Sequence, residues 1–190
     1  MKRGFREMGR RMQPIRDLGI LEDFKELLQQ WELRNWLLFC VGISTGLRIS
    51  DILPLRVKDI TGKYIELTEQ KTKKYRKIII NKRLRSYFDH YLKEYDWLGP
   101  DDLLFKSQKG DFPISEVQAW RILKKIADEL GLEDVGTHTM RKSFAYHFYQ
   151  RTNDIATLQE ILNHSTPRMT MIYIGLVQEN IDRAIMDFEI

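Results

Sequence analysis

The segment that decides the fold is Thr45-Gly46-Leu47-Arg48-Ile49-Ser50-Asp51. Before it, residues 31–43 are apolar on nearly every side, which indicates a helix that is buried all round. Gly46 ends that helix, because glycine readily takes the left-handed conformation found at helix C-termini. The last two residues of the segment begin a short new helix. The segment therefore leaves one cation, Arg48, at a junction beside a buried helix.

The segments on either side predict a mainly α-helical domain with one small antiparallel β-hairpin. Apolar spacing and capping residues predict helices over residues 17–30, 31–43, 82–95, 115–130, 137–152 and 154–162, and another that begins at 166–167 and carries Tyr173. Residues 64–68 and 77–80 are predicted to be the two strands, with a basic connection over residues 70–76. A last helix follows Gly175, and its apolar stripe is Val177, Ile181, Ala184, Ile185 and Phe188.

Positive charge is concentrated in two regions. Residues 1–16 contain six Lys and Arg against Glu7 alone, and residues 63–85 contain nine against Glu66 and Glu69. The whole chain carries a net charge of only +4, so the rest of it is net acidic. One charged run is usually a solvated face, but two basic patches on an acidic chain favour a polyanionic partner.

The composition excludes several other classes of protein. Hydrophobic residues make up 43% of the 190 residues, which is enough for one folded domain. The longest apolar run, residues 36–43, is too short to cross a bilayer, which needs about 20 residues, and no secretion signal follows the basic N-terminus. Cys40 is the only cysteine, so a reducing, cytoplasmic setting fits. The histidines are scattered and the carboxylates lack metal-ligand spacing, so neither a metal nor another cofactor is predicted.

Six polar residues stand in contexts that suggest shared chemistry. In chain order they are Arg48, Lys71, His138, Arg141, His164 and Tyr173. His138 and Arg141 are three residues apart near a predicted helix N-terminus, so both side chains lie on one face, where an anion is favoured.

These residues, in this order, resemble the catalytic domain of the tyrosine recombinases, the phage integrase family. The matching pieces are residues 45–51, 69–74, 138–141, 162–165 and 170–174, and the resemblance runs from about residue 15 to the C-terminus. It implies the DNA breaking–rejoining fold of that family. It also implies a site-specific recombinase or integrase that cleaves and rejoins duplex DNA through a 3′-phosphotyrosine intermediate, in the integration or excision of a phage or mobile element.

The chemistry of phosphodiester cleavage fits these residue types. Two guanidiniums, Arg48 and Arg141, can hold the non-bridging oxygens on which negative charge builds. Tyr173 is the candidate nucleophile; its unperturbed pKa is near 10, and a cationic pocket is expected to lower it. His138 is the candidate base, and His164 is expected to bind the phosphate or transition state.

The hairpin supplies the candidate general acid, which must protonate the leaving 5′ hydroxyl. The resemblance favours Lys71, which is predicted to end the first strand, but Lys73 and Lys74 lie close by. All three lysines could instead contact phosphates, and Lys73, Lys74, Arg76, Arg10 and Arg11 are the predicted DNA-backbone set. For Asp51 the resemblance implies a supporting role.

The predicted organisation has three parts: a basic N-terminal arm over residues 1–16, a catalytic domain over residues 17–175 and a tail helix over residues 176–190. The N-terminal core-binding domain of most family members is expected to be missing, so the chain is either a catalytic-domain-only recombinase or a fragment. The resemblance implies that the tail helix packs into a neighbouring protomer and supports a dimer or tetramer on DNA, at the nucleoid. An apolar stripe that docks on its own domain is the simpler interpretation.

Two other functions remain open on the sequence. A type IB topoisomerase has the same type of nucleophile and cationic site, but it relaxes DNA as a monomer. A non-catalytic DNA-binding module of the same fold has no use for a tyrosine in this context.

Overall fold

The computed structural model describes residues 12–188, apart from the side chains of residues 178–180 and 183. Within these residues it has ten helices and one two-stranded antiparallel sheet, which confirms the predicted fold class. In chain order the elements are α1 (Leu18–Trp31), α2 (Leu33–Thr45), α3 (Ile49–Ile52), α4 (Val57–Thr61), β1 (Tyr64–Thr68), β2 (Tyr75–Ile79), α5 (Lys82–Glu94), α6 (Glu116–Glu129), α7 (Thr137–Thr152), α8 (Ile155–Leu162), α9 (Pro167–Tyr173) and α10 (Leu176–Met186).

Helix α2 lies at the centre and packs against α1, α5 and α7. Phe24 of α1 stacks on Phe39 of α2, with ring centroids 4.5 Å apart. The helix ends at Gly46, whose φ of 63° is left-handed and whose Cα faces the Phe144 ring, which an added Cβ would overlap. Cys40 is fully buried in this helix, and burial raises the pKa of its thiol.

The hairpin begins as predicted and then departs from the prediction. Strand β1 has the predicted bounds, but β2 starts at Tyr75 instead of Lys77 and pairs Tyr75 with Thr68. Lys71 therefore does not end the first strand, because residues 70–72 already form the turn. Arg76, which was assigned to the connection, lies in β2.

Residues 12–16 were predicted to belong to the basic arm, yet they lie against α7. Ile15 is buried; its amide donates to Ser143 Oγ at 2.8 Å and its carbonyl lies 2.9 Å from His147 Nε2. Arg10 and Arg11 lie outside the described residues. Ile15 is thus fixed to α7, the helix that also carries His138 and Arg141.

The buried apolar side chains form two separate clusters. The main core draws on α1 to α7, whereas a smaller cluster consists of Ala145, Leu158, Leu162, Ile174 and Leu176. Helix α10, which begins at the small cluster, keeps much of its apolar stripe in solvent: Ile181 is 46% exposed and Ile185 66%, and Phe188, just after the helix, is 69% exposed. No helix within residues 12–188 combines the length and apolar character needed to span a membrane.

Candidate active site

Arg48 lies at the N-terminal end of α3, two residues after the left-handed Gly46. Its Nη1 forms an ion pair with Glu69 Oε2 at 3.0 Å, and the side chain is only 16% exposed. Asp51, one turn further along, is buried, and its Oδ1 accepts a hydrogen bond from the Gln70 amide at 2.8 Å. Asp51, which was expected to have a supporting role, thus holds the hairpin turn; among the described residues its carboxylate forms no hydrogen bond or ion pair with Arg48.

Arg141 is buried on α7 and connects two parts of the protein. Its Nη1 donates to the Gly46 carbonyl, and its Nη2 donates to the Leu162 carbonyl at 2.7 Å. The pKa of Arg141 is lowered to about 10, chiefly by burial; Tyr173 acts against this shift and the charge of Arg48 acts with it. The guanidinium still carries its positive charge at neutral pH.

Glu69, which the sequence analysis did not single out, is the fully buried carboxylate beneath these cations. It pairs with Arg48, lies 3.6 Å from Arg76 Nη1 and accepts a hydrogen bond from Thr72 Oγ1. Burial alone would raise the pKa of Glu69, but the Thr72 hydrogen bond and the Arg48 charge outweigh it and lower that pKa. The sequence feature that could have indicated this role is the position of Glu69, an acidic residue, within a strongly basic hairpin.

The predicted lysines and arginine of the hairpin divide into two groups. Lys71 and Lys73 are exposed in the turn, whereas Lys74 Nζ donates to Asn163 Oδ1 at 2.7 Å. Arg76 is 13% exposed and donates to the Ile161 carbonyl. Arg76 therefore joins the hairpin to α8, and the exposed lysines remain accessible to an anion.

His138, His164 and Tyr173 line one cavity of about 490 Å³, together with Met12, Lys142, Met169 and Ile172. Burial lowers the pKa of His138, and the charges of Arg141 and Arg48 lower it further. His138 is accordingly neutral at pH 7 and able to accept a proton.

His164 is held by the segment that also carries the tyrosine. Its Nδ1 lies 3.0 Å from the hydroxyl of Thr170, a residue with no exposed surface. The His164 and Tyr173 rings meet edge to face, with centroids 5.1 Å apart. Burial, followed by the Arg141 charge, lowers the pKa of His164 as well.

Tyr173 ends α9 and faces the cationic side of the cavity. Lys142 Nζ lies 5.0 Å from the centre of its ring. The hydroxyl is buried and has no hydrogen bond of normal geometry within residues 12–188. Burial raises the pKa of Tyr173 more than Arg141 and Arg48 lower it, so the expectation of a lowered pKa is wrong for this structure. The tyrosine therefore needs a base.

Two further residues near the site, Lys142 and Asn163, were not predicted from the sequence to have a role there. Lys142 follows Arg141 directly, a spacing at which neighbouring helix side chains do not share a face. No group of three or more His, Cys, Asp or Glu side chains suited to holding a metal occurs within residues 12–188.

Comparison with known proteins gives a consistent result. The model of the phage integrase family matches residues 19–179. The probable integrase/recombinase YoeC of Bacillus subtilis is 50% identical over 169 residues, which cover 88% of this chain and 92% of YoeC. The tyrosine recombinase XerH of Helicobacter pylori is 31% identical over 89% of this chain, and the match covers 50% of XerH.

A solved structure shares the same architecture. XerH bound to a palindromic difH substrate, in a post-cleavage complex, superposes with a TM-score of 0.71 at 26% identity. The match covers 96% of this chain and 55% of the XerH chain. This chain thus spans about half the length of XerH and nearly all of YoeC.

Proposed function

The chain belongs to the phage integrase family, and on that premise we propose that it is a tyrosine-type site-specific recombinase. It cleaves and rejoins duplex DNA in the integration or excision of a phage or mobile element. The observation that carries the proposal is the convergence of Arg48, Arg141, His138, His164 and Tyr173, from separate segments of the chain, on one site. A helical module that only binds DNA has no need of a buried tyrosine hydroxyl beside two arginines.

Cleavage proceeds by in-line displacement at phosphorus. Tyr173 Oη attacks the phosphorus, its proton passes to His138, and a 3′-phosphotyrosine bond forms as the bond to the 5′ oxygen breaks. Lys71 donates the proton that the departing 5′ oxygen requires. Arg48 and Arg141 stabilise the charge on the non-bridging oxygens, and His164 donates a further hydrogen bond to them. Attack by a 5′ hydroxyl on the phosphotyrosine rejoins the strand without an external energy source.

Duplex DNA is the proposed substrate, and a DNA substrate places the enzyme in the cytoplasm at the nucleoid. The exposed Lys71 and Lys73, and the arginines of the N-terminal segment, supply phosphate contacts. Such contacts release counterions, so binding is expected to weaken steeply as salt increases. The post-cleavage difH complex of XerH supports this choice of substrate.

Self-association through α10 completes the proposed function. The apolar stripe of α10 is largely in solvent, and residues 176–190 contain four acidic residues and one arginine. A groove of about 360 Å³ between α1, α2, α5 and α7 exposes Leu18 and Phe148 beside the cations Arg83 and Arg151. We therefore assign α10 of a second copy to this groove. Deletion of residues 177–190 should impair cooperative cleavage, and unchanged recombination by the truncated protein would contradict the assignment.

A nicked suicide DNA substrate tests the enzymatic proposal. The wild type should form a covalent protein–DNA adduct, and Tyr173→Phe should form none while it still binds DNA. An adduct with the Phe variant would overturn the assignment of the nucleophile. Relaxation of supercoiled DNA without site preference would favour a type IB topoisomerase, and binding without any adduct would favour a non-catalytic module.

A further inference from the structure

We infer that Glu69 and Asn163 are positioning residues that fix the Lys71 turn to the segment bearing His164, an inference that rests on the recombinase function proposed above. The Lys71 turn is residues 69–74. In this arrangement the general acid and the phosphate-binding histidine are held as one unit. Neither Glu69 nor Asn163 acts on the substrate directly.

Glu69 stabilises the Lys71 turn through hydrogen bonds of its backbone and its side chain. Its amide donates to the Lys74 carbonyl and its carbonyl accepts from the Lys73 amide, both at 2.9 Å. Its side chain also accepts from Thr72 Oγ1, so bonds on both sides of Lys71 lead to the same buried residue. The Lys71 side chain makes no hydrogen bond or ion pair with the rest of residues 12–188. The turn therefore fixes the backbone while leaving the ammonium group accessible.

Asn163 connects the Lys71 turn to the other side of the site. Its Oδ1 accepts from Lys74 Nζ at 2.7 Å, and its Nδ2 lies 3.5 Å from Glu69 Oε2. Asn163 ends α8 in the left-handed conformation, with φ 51°, and His164 is the next residue. Glycine suits that backbone best, but only a side chain with both a donor and an acceptor can make these two contacts.

The buried charge of Glu69 also keeps the cations together. Arg48 and Arg76 both face its carboxylate, and both lie near enough to Arg141 for their charges to lower its pKa. A neutral residue at position 69 would leave these guanidiniums to repel one another without a counter-ion. Glu69 variants are therefore expected to disturb both Arg48 and the turn, and Asn163 offers the more selective test.

The test is single-turnover cleavage by Asn163→Gly at saturating DNA. Glycine retains the left-handed backbone, so the fold is preserved while both side-chain contacts are lost. On an ordinary suicide substrate the adduct should form about tenfold more slowly, the effect of losing a hydrogen bond to a charged group. On a substrate with sulfur in place of the bridging 5′ oxygen, the rate should be within about twofold of wild type, because a thiolate leaves without a proton.

Matched controls make each outcome decisive. Asn153→Gly makes the same change at the left-handed end of α7, where φ is also 51°, and should cleave both substrates at the wild-type rate. Lys71→Ala should cleave the ordinary oxygen substrate slowly and the sulfur substrate at nearly the wild-type rate. Arg48→Ala should cleave both substrates slowly. The inference is overturned if Asn163→Gly cleaves the oxygen substrate at the wild-type rate or is equally slow on both substrates. If the wild type forms no adduct with either substrate, the recombinase function itself fails.

Discussion

Two regions of the molecule carry the proposed catalytic groups, and they differ in how firmly they are held. Arg48 and the hairpin are attached to the main core, where Leu37, Phe39 and Ile52 have almost no exposed surface. His164 and Tyr173 are attached to the small cluster, in which five apolar residues of the described chain are buried. Because local stability follows buried apolar contact, the cation frame is expected to be rigid and the nucleophile segment easier to reposition.

Arg141 is a buried residue that bonds to both regions and is also proposed to bind the phosphate, so changing it should have the largest effect. Arg141→Lys keeps a charge but loses the pair of bonds to the Gly46 and Leu162 carbonyls. We expect the rate of adduct formation to fall by a factor of about 10²–10³. We also expect the free energy of unfolding to fall by about 1–3 kcal/mol, because a buried carbonyl loses its partner. Single-turnover kinetics and urea unfolding measure the two effects, and a loss of rate below tenfold would contradict this role.

A pair of matched leucines tests whether the two regions differ in stability. Leu28 of the main core and Leu158 of the small cluster are both 0% exposed, and either change to alanine should cost about 2–5 kcal/mol. Leu28→Ala should lower the stability of the whole domain. Leu158→Ala should increase amide hydrogen exchange mainly in α8, α9 and α10. Equal exchange patterns for the two variants would mean that the regions unfold as one.

The pH dependence of cleavage should report the protonation of His138, the proposed base for Tyr173. Burial and the neighbouring arginines place the pKa of His138 below its ordinary 6.5. The neutral imidazole is the form that accepts the tyrosine proton, so the rate should fall as pH decreases, with its midpoint below pH 6.5. Single-turnover rates between pH 5 and pH 8 are the measurement. A midpoint above pH 6.5 would exclude His138 as the base.

The smallest effect is expected at the junction between α9 and α10. Gly175 has a φ of 85°, and a Cβ there would lie 2.8 Å from Arg16 Nη2, the movable end of a long side chain. Gly175→Ala should therefore cost about 1–2 kcal/mol, chiefly from the left-handed backbone. Thermal unfolding should show a fall of a few degrees in Tm. An unchanged Tm would mean that the junction adopts another conformation in solution.

The sequence predicted well what depends on local patterns. Strand β1 and the caps at Asp154 and Thr166 occur as expected, because alternation and side-chain capping are properties of neighbouring residues. The role of Glu69 could not be predicted, since it depends on contacts with residues up to 94 positions away in the chain.

The prediction for Tyr173 was wrong for a related reason. Two arginines were expected to lower its pKa, and both do act in that direction, but the depth at which the hydroxyl is buried has a larger effect. Burial is set by the packing of α9 on the small cluster. The sign of a pKa shift at such a site therefore depends on packing that no single segment of sequence specifies.

The burial of Cys40 has a practical consequence for spectroscopy. It is the only cysteine of the chain, it has no exposed surface, and burial holds its thiol in the protonated, unreactive form. A cysteine introduced at Ile185 on α10 is therefore expected to be the one thiol that a fluorophore or spin label modifies. A single probe would then follow the tail during cleavage, without first removing the natural cysteine from the core.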